Sequence, residues 1–245
     1  MKKILYLLIF LILTGCSNNY NWGWYVINPK LENGYSNLQF LLSGLSITIY
    51  ISILSIIFSL IIGFFISLLG FSKNRLLKIL NRLFIEIFRA IPLLVLLLWV
   101  YYGLPIIFGI SFGPFVAGII SLSLSDSAFE AEIFRAGIQS ISKGQRNAAK
   151  SLGLNKIQEM NLVILPQALR VILPAIGNQF IYVLKMSSLV SILGLADLTR
   201  KANELVVTVY RPLEIYTFLV LEYLVLILII SYLVRKIEKK LKVNS

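Results

Sequence analysis

Residues 145–166 read QRNAAKSLGLNKIQEMNLVILP, a polar and basic segment between two strongly apolar runs. Small residues stand at fixed offsets in it: Ala148 and Ala149 are followed after three residues by Gly153, and after nine more by residues 163–166. A pair of alanines gives a helix a narrow surface that another protein can approach closely. The segment therefore predicts a docking element for a soluble partner, and the alternative is an amphipathic loop helix that lies on the lipid surface.

Local signals give this segment a helix with defined ends. Ser142 can cap a short helix over residues 145–152. Gly153 can end that helix in a left-handed conformation, and Pro166 allows a new helix to begin as the chain re-enters the bilayer. We therefore expect a short helix, a turn and a second helix in this order.

The composition places the chain in a membrane. Hydrophobic residues make up 58% and charged residues 14% of the 245 residues, with a mean hydropathy of +0.86, whereas soluble domains carry roughly 25% charged residues. The net charge of +12 does not indicate nucleic-acid binding, because the basic residues form short blocks between apolar runs. One cysteine and no histidine leave no disulfide framework and no common metal ligand or general base. The sequence thus predicts an all-α integral membrane protein without a catalytic or metal site.

Uncharged runs define the predicted spans. Residues 34–72 and 90–125 carry no formal charge. A helix over the second run would be about 54 Å long, too long for one crossing, so the chain must turn back at its cluster of glycine and proline. We predict five transmembrane helices, at residues 45–69, 84–102, 114–134, 171–193 and 215–234.

Basic residues alternate between the connecting segments. Four lie in residues 73–82, none in 103–113, five in 135–156, three in 200–211 and five in 235–242. Cytoplasmic loops are enriched in lysine and arginine. The alternation predicts an outside N-terminus, an inside C-terminus and a docking element in the cytoplasm.

The N-terminus is similar to a bacterial lipoprotein signal. Lys2 and Lys3 precede an apolar run over residues 4–13, and Cys16 follows shortly after it. Ten apolar residues are few for a span. We expect residues 1–15 to be a signal peptide and Cys16 to be lipidated, and the alternative is an uncleaved sixth hydrophobic helix.

Several further motifs appear in order along the chain. They are FRAIPLLV at 88–95, YYGLP at 101–105, AEIFRAGIQS at 131–140, LKMSSL at 184–189 and GLADLTR at 194–200. Together with residues 145–166, which resemble the cytoplasmic EAA loop, they resemble permease subunits of ABC importers for polar amino acids of the histidine, glutamine and arginine type. Several ordered motifs are far more specific than one.

The resemblance implies a fold and a set of partners. It implies the type I ABC importer permease fold over residues 38–245, a coupling loop at 138–166 and an external segment at 16–37. The partners would be two ATPase subunits, a second permease subunit that is the same or a related chain, and an external or periplasmic amino-acid-binding protein. We expect a multi-pass protein of the bacterial cytoplasmic membrane. The sequence has no GxxxxGK[ST] phosphate loop, so the chain is expected not to be an enzyme, and ATP and Mg²⁺ would be bound by the partner subunits.

The resemblance also implies which residues dock. The ATPase contacts would come from the helix and its terminal glycine, namely Gln145, Arg146, Asn147, Ala148, Ala149, Lys150 and Gly153. Asn147 replaces the family's glutamate, so docking would depend on shape and basic flanks. Leu96 and Met186 replace more polar residues of the family and leave the expected pathway less polar.

Charges inside the predicted spans are candidates for the substrate pathway. Asp126 and Glu130 are one helical turn apart and could bind the ammonium or side-chain cation of an amino acid. We therefore favour a basic substrate. Alternatively, the two carboxylates pair with Arg89 or Arg135.

Four further residues complete the predicted pathway. Lys185 and Glu222 lie near the middles of their spans and are predicted to form a buried ion pair. Ser187 and Ser188 could line the pathway or pack helices closely. Glu132 and Arg135 are expected to form a local brace near the cytoplasmic end.

Three other functions remain open at this stage. The chain could be a permease for another small polar solute. A passive pore would leave residues 148–166 without a purpose, and a membrane-embedded enzyme using Asp126 and Glu130 would lack a nucleophile or metal.

Overall fold

The computed structural model describes residues 20–242, and within that range the chain is helical with no β-strand. The helices are α1 (Glu32–Leu42), α2 (Gly44–Phe71), α3 (Arg75–Ala90), α4 (Leu93–Leu98), α5 (Leu104–Phe108), α6 (Pro114–Gln139), α7 (Lys143–Ser151), α8 (Lys156–Gln158), α9 (Leu165–Met186), α10 (Leu198–Val209) and α11 (Pro212–Lys242). Two π-helical turns, Trp99–Gly103 and Glu159–Ile164, connect α4 to α5 and α8 to α9. A 3₁₀ segment, Ser187–Leu193, continues α9.

Three helical stretches of the described chain are long and apolar enough to cross a membrane, or four if the bent pair of α3 and α4–α5 counts as one. They are Glu32–Phe71, Lys156–Leu193 and Pro212–Lys240. The predicted apolar runs at 45–69, 171–193 and 215–234 lie within them. The all-helical membrane class is therefore confirmed.

Helix α6 is the exception among the long helices. It covers the predicted span at 114–134, yet it is not among the apolar candidates. Its buried residues are mostly small or polar, and they include four serines. A helix enclosed by other helices needs no apolar surface for lipid, so hydropathy alone misses it.

The predicted span at 84–102 is not one continuous helix. Helix α3 ends at Ala90, and the axis turns by 99° before the stretch Leu93–Phe108. Pro92 causes the break, because it lacks an amide hydrogen and keeps the preceding Ile91 out of the helical region, at ψ 123°. The apolar α4–α5 leg, Leu93–Phe108, therefore begins after this break, and α3 is nearly perpendicular to it.

The central contact of the fold is the packing of α2 on α6. Small buried residues, including Ser52, Ser59 and Gly63, face α6 along the length of α2. The Ser123 hydroxyl donates to the Ser55 carbonyl oxygen across this contact at 3.1 Å. Helix α9 packs on α6 and on α11. Close approach through small residues is how helices associate in lipid.

The N-terminal segment is tied to the beginning of α11. The side chain of Glu214 is fully buried and accepts hydrogen bonds from the Gly23 amide and the Tyr20 hydroxyl, each at 2.5 Å. The bond to Glu214 raises the pKa of Tyr20. Arg211 donates to the Asn21 carbonyl oxygen at 2.9 Å. The described N-terminal segment and the start of α11 therefore lie next to each other in the fold.

Candidate functional site

The predicted docking helix is present as α7, Lys143–Ser151. Ser142 caps it by accepting a hydrogen bond from the Gln145 amide at 3.4 Å. Gly153 follows at φ +75°, the left-handed conformation that favours glycine. The two ends predicted from the sequence are thus confirmed, with the helix beginning two residues earlier than expected.

Of the two alanines of α7 only Ala148 is exposed, which corrects the prediction of a joint alanine surface. Ala149 is only 2% exposed and packs inside its own chain. Ala148 and Asn147 are exposed. Arg146 also turns inward and donates to the Ile138 carbonyl oxygen at 2.6 Å. Ala149 and Arg146 therefore hold α7 against the rest of the chain. Ala148 stays exposed because consecutive helical residues project on different faces.

The outward face of α7 includes the remaining predicted docking residues of the helix. Gln145, Asn147, Ala148 and Lys150 are all exposed. Gln145 also accepts a hydrogen bond from Gln167 near the start of α9. The candidate docking surface therefore has an uncharged centre, with the exposed lysines Lys143 and Lys150 near its two ends.

The return of the chain from α7 to α9 is built from strong local signals. Asn155 and Gln158 form a reciprocal capping box, with both hydrogen bonds at 2.9 Å. Pro166 lies in the first turn of α9, as expected for a residue without an amide hydrogen. These signals thus set where α8 and α9 begin after α7.

Replacing Gly153 tests the left-handed end of α7. Gly153→Ala is expected to destabilise α7 locally by about 1 kcal/mol, because a Cβ disfavours this conformation. Amide hydrogen exchange of α7 should accelerate by roughly fivefold to tenfold. The matched control is Gly144→Ala inside α7, where an added Cβ meets only the Ser142 hydroxyl at 3.9 Å and helix propensity improves. Equal exchange in both variants would contradict the assigned role of Gly153.

The second candidate site lies around Asp126, between three helices. Asp126 of α6 is 1% exposed. Its carboxylate accepts hydrogen bonds from Ser59 of α2 and from Gln179 of α9. Its partners among residues 20–242 are two neutral donors, and a buried carboxylate with such partners can accept a further donor, such as an ammonium group.

Glu130 lies one turn further along the same face of α6. Its side chain is fully buried, and neither carboxylate oxygen has a hydrogen-bond partner in the described structure. Its Cβ packs against Gly63 of α2, where a larger residue would clash. Orphaned buried carboxylates cost free energy and mark functional sites within membranes.

The expected alternative pairing of these carboxylates with arginine is wrong. Arg89 and Arg135 instead both bind Glu132, Arg135 at 3.2 Å. This confirms the predicted brace between Glu132 and Arg135. Glu132 projects from a different face of α6, so it satisfies both cations without approaching Asp126.

The predicted ion pair between Lys185 and Glu222 is also wrong. Lys185 is exposed on the surface of α9 and forms no hydrogen bond with the Glu222 carboxylate. The Glu222 carboxylate has no partner and borders an apolar pocket of about 290 Å³ that includes Leu45 and Leu198. Lys185 and Glu222 lie on faces of α9 and α11 that do not meet. Their positions in the sequence do not reveal this.

The predicted pathway serines, Ser187 and Ser188, both form hydrogen bonds to nearby backbone carbonyl oxygens. Ser187 is fully buried and donates to the Leu184 carbonyl oxygen at 2.8 Å. Ser188 is partly buried and donates to the Lys185 carbonyl oxygen at 2.8 Å. Both hydroxyls are thus satisfied within their own helix. Cys16 and the predicted signal at 1–15 lie outside the described residues.

Sequence reasoning missed the two neutral partners of Asp126. Ser59 stands among apolar residues of a span, and Gln179 is an uncharged polar residue in α9. A glutamine at membrane depth was the available signal, because an unsatisfied amide is costly there. Within residues 20–242, no group of three His, Cys, Asp or Glu side chains could hold a metal ion.

A family pattern matches most of the chain. The family described as "Binding-protein-dependent transport system inner membrane component" matches residues 59–243. The chain therefore belongs to this family of membrane-embedded transport subunits.

Particular relatives are similar over nearly their whole length. The arginine transport system permease protein ArtQ of Bacillus subtilis is 39% identical over 208 residues, which cover 85% of this chain and 95% of the relative. The glutamine transport system permease protein GlnP of Escherichia coli K12 is 35% identical over 210 residues, with 84% and 94% covered. The resemblance to amino-acid ABC permeases is thereby confirmed.

Solved structures agree in fold. The chain is similar to a crystal structure of an amino acid ABC transporter with histidines, with a TM-score of 0.83, 37% identity and coverage of 90% of this chain and all of that one. Inward-facing structures of the MetNI methionine ABC transporter share the fold alone, at a TM-score of 0.73 and 22% identity. The all-helical architecture is thus that of ABC importer permeases.

Proposed function

We propose that this chain is the permease subunit of an ABC importer that moves a polar amino acid into the cytoplasm. The observation that carries the proposal is the connection of two sites. A helix with an exposed small face, α7, is bonded to α6 and α9. The same two helices, with α2, enclose the buried carboxylate of Asp126.

The proposed topology has five spans, with α6 and the α4–α5 leg added to the three apolar stretches. The N-terminus is outside and the C-terminus inside. The tie between the N-terminal segment and the start of α11 supports this arrangement, since an even number of crossings must separate them. The basic residues around α7 then lie in the cytoplasm.

ATPase subunits would dock on the outward face of α7. Two of them would bind ATP and Mg²⁺, and their closure would displace α7 and switch the spans between inward-facing and outward-facing states. In this proposal residues 16–37 form the external segment, residues 38–245 the permease domain and residues 138–166 its coupling loop. Lipidation of Cys16 would anchor the external segment in the outer leaflet.

A second permease subunit would cover the face of α9 that bears Lys185. This side chain is exposed on a helix that is apolar enough to span the membrane. A lysine facing lipid at that depth costs roughly 2.5–3.5 kcal/mol. A water-lined pathway between two permease subunits removes this cost.

An amino acid with a cationic side chain is the proposed substrate. Relatives are named for arginine and for glutamine. Asp126 and Glu130 place two carboxylates on one buried face of α6, which favours a basic substrate over a neutral one. An external amino-acid-binding protein would deliver it.

Reconstitution tests the proposed function. The permease, a candidate ATPase subunit and a binding protein are placed in liposomes, and uptake of labelled arginine, lysine and glutamine is measured. We expect uptake that requires ATP and all three components. Flux without ATP would indicate a passive pore, and product formation without transport would indicate an enzyme.

Asp126→Asn tests the basic preference. The ratio of arginine to glutamine uptake should fall about tenfold, because a charged hydrogen bond contributes about 1.5 kcal/mol more than a neutral one. Glu132→Gln is the matched control, since it removes a carboxylate from another face of α6 and should leave the ratio unchanged. An unchanged ratio in Asp126→Asn would exclude Asp126 as the cation contact.

A further inference from the structure

A basic cavity of about 720 Å³ lies between α3 and the ends of α2 and α6, and the transport scheme does not use it. Four cationic side chains border it: Lys78, Arg82, Arg89 and Arg135. Two carboxylates, Glu86 and Glu132, also border it. The lining therefore carries an excess of two positive charges.

The cationic side chains that have no ion pair lie on one side of the cavity, where Glu86 is the one carboxylate. Glu132 of α6 binds both Arg89 and Arg135. No ion pair or hydrogen bond among the described residues engages the side chains of Lys78 and Arg82, which are exposed one turn apart on α3. Two neighbouring unpaired cations at the wall of a cavity favour an anionic ligand.

The opposite face of α3 is apolar and uncovered. Leu76, Leu80, Leu83 and Ile87 are 61%, 47%, 47% and 50% exposed. Their spacing of three and four residues places them on one stripe. Because α3 meets the α4–α5 leg at 99°, it runs along the membrane surface when that leg crosses. A helix with an apolar face and a basic face lies at the membrane interface in this way.

We propose that the basic cavity binds the phosphate group of an anionic phospholipid of the inner leaflet, with Lys78 and Arg82 as its main contacts. The apolar stripe of α3 places the acyl layer on one side of the helix and the cavity on the other. A lipid beside α3 can therefore reach the cavity with its headgroup while its chains remain in the bilayer. The cavity is large enough for such a headgroup, since ligand pockets span roughly 300–1,000 Å³. The proposal rests on the proposed function in one respect, the cytoplasmic position of α3.

Lipid binding is measured on the purified full chain in a neutral detergent, by native mass spectrometry. The probes are phosphatidylglycerol, phosphatidylcholine and inorganic phosphate. We expect phosphatidylglycerol to bind more tightly than phosphatidylcholine, and the double variant K78Q/R82Q to bind phosphatidylglycerol about 30-fold more weakly, since each cation near the surface contributes about 1 kcal/mol. The matched control is K236Q/K240Q, which removes two exposed lysines at the same spacing from the end of α11.

Three results would overturn the proposal. The first is an equal loss of affinity in both double variants, which would indicate unspecific surface charge. The second is full competition by inorganic phosphate at equal concentration, which would indicate a free anion. The third is disulfide cross-linking of the Leu80→Cys variant to a second copy with a loss of lipid binding, which would indicate a subunit interface. ATPase, binding protein and substrate are absent from the assay, so a failed transport proposal leaves its result unaffected.

Discussion

Gly63→Leu is expected to prevent stable folding of the permease. A Cβ at this position would already lie 2.6 Å from the Glu130 Cβ and 2.9 Å from the Ser127 carbonyl oxygen. The second of these atoms belongs to the backbone of α6, so α2 and α6 would have to move apart. Overpacking a core costs typically 1–3 kcal/mol and more when backbones must shift, against a total stability of roughly 5–15 kcal/mol. Thermal unfolding in detergent should fall steeply or give only aggregate.

Gly113→Ala is the matched control for this substitution. Gly113 precedes α6, and an added Cβ there meets nothing within 4 Å. Its φ of −65° suits any residue. The control should therefore unfold within a few degrees of the natural chain, and a Gly63→Leu protein that did the same would refute the close contact between α2 and α6.

Ala148→Trp is expected to abolish ATP-driven uptake while the protein folds normally. Ala148 is exposed on α7, so a large ring is accommodated in the free chain. It would fill the space that an ATPase subunit needs. Losses at the centre of an interface reach about 2 kcal/mol or more, or roughly 30-fold in affinity. Uptake into liposomes and co-purification of the ATPase measure the two effects.

Two further substitutions in α7, Asn147→Glu and Ala149→Glu, serve as comparisons for Ala148→Trp. Asn147 is exposed, so Asn147→Glu should change uptake by no more than about twofold. Ala149→Glu would bury a charge at a position only 2% exposed and should unfold α7 itself. If Ala148→Trp transported normally with the ATPase bound, the outward face of α7 would not be the docking surface.

Local signals in the sequence were sufficient for the ends of helices. Ser142, Gly153 and Pro166 act through their own backbone and nearest neighbours, so their roles in the predicted loop were correct. Length and hydropathy likewise located the apolar stretches. Pro92 indicated a break in the helix. The apolar run that continues after it gave no sign that the helix axis changes direction there.

Contacts between helices were beyond the same reasoning. The rotation of one helix against another decides whether two charges meet, and Lys185 and Glu222 fell on different faces. Asp126 stays a predicted pathway residue, and its partners Ser59 and Gln179 come from helices distant in sequence. The split between Ala148 and Ala149 likewise depends on which side of α7 packs.

The bonds of α7 to its neighbours have a mechanical consequence. Ile138, which accepts from α7, and Asp126 are 12 residues apart on α6, while Gln167, which also bonds α7, and Gln179 are 12 residues apart on α9. The two helical segments are therefore of equal length, about 18 Å each. They are connected through α7 at one end and through the hydrogen bond between Gln179 and Asp126 at the other. A displacement of α7 that tilts one helical segment more than the other would shear the hydrogen bond between Gln179 and Asp126. If an ATPase subunit docks on α7 and the substrate binds at Asp126, as proposed, force on α7 weakens substrate binding without any contact between ATPase and substrate.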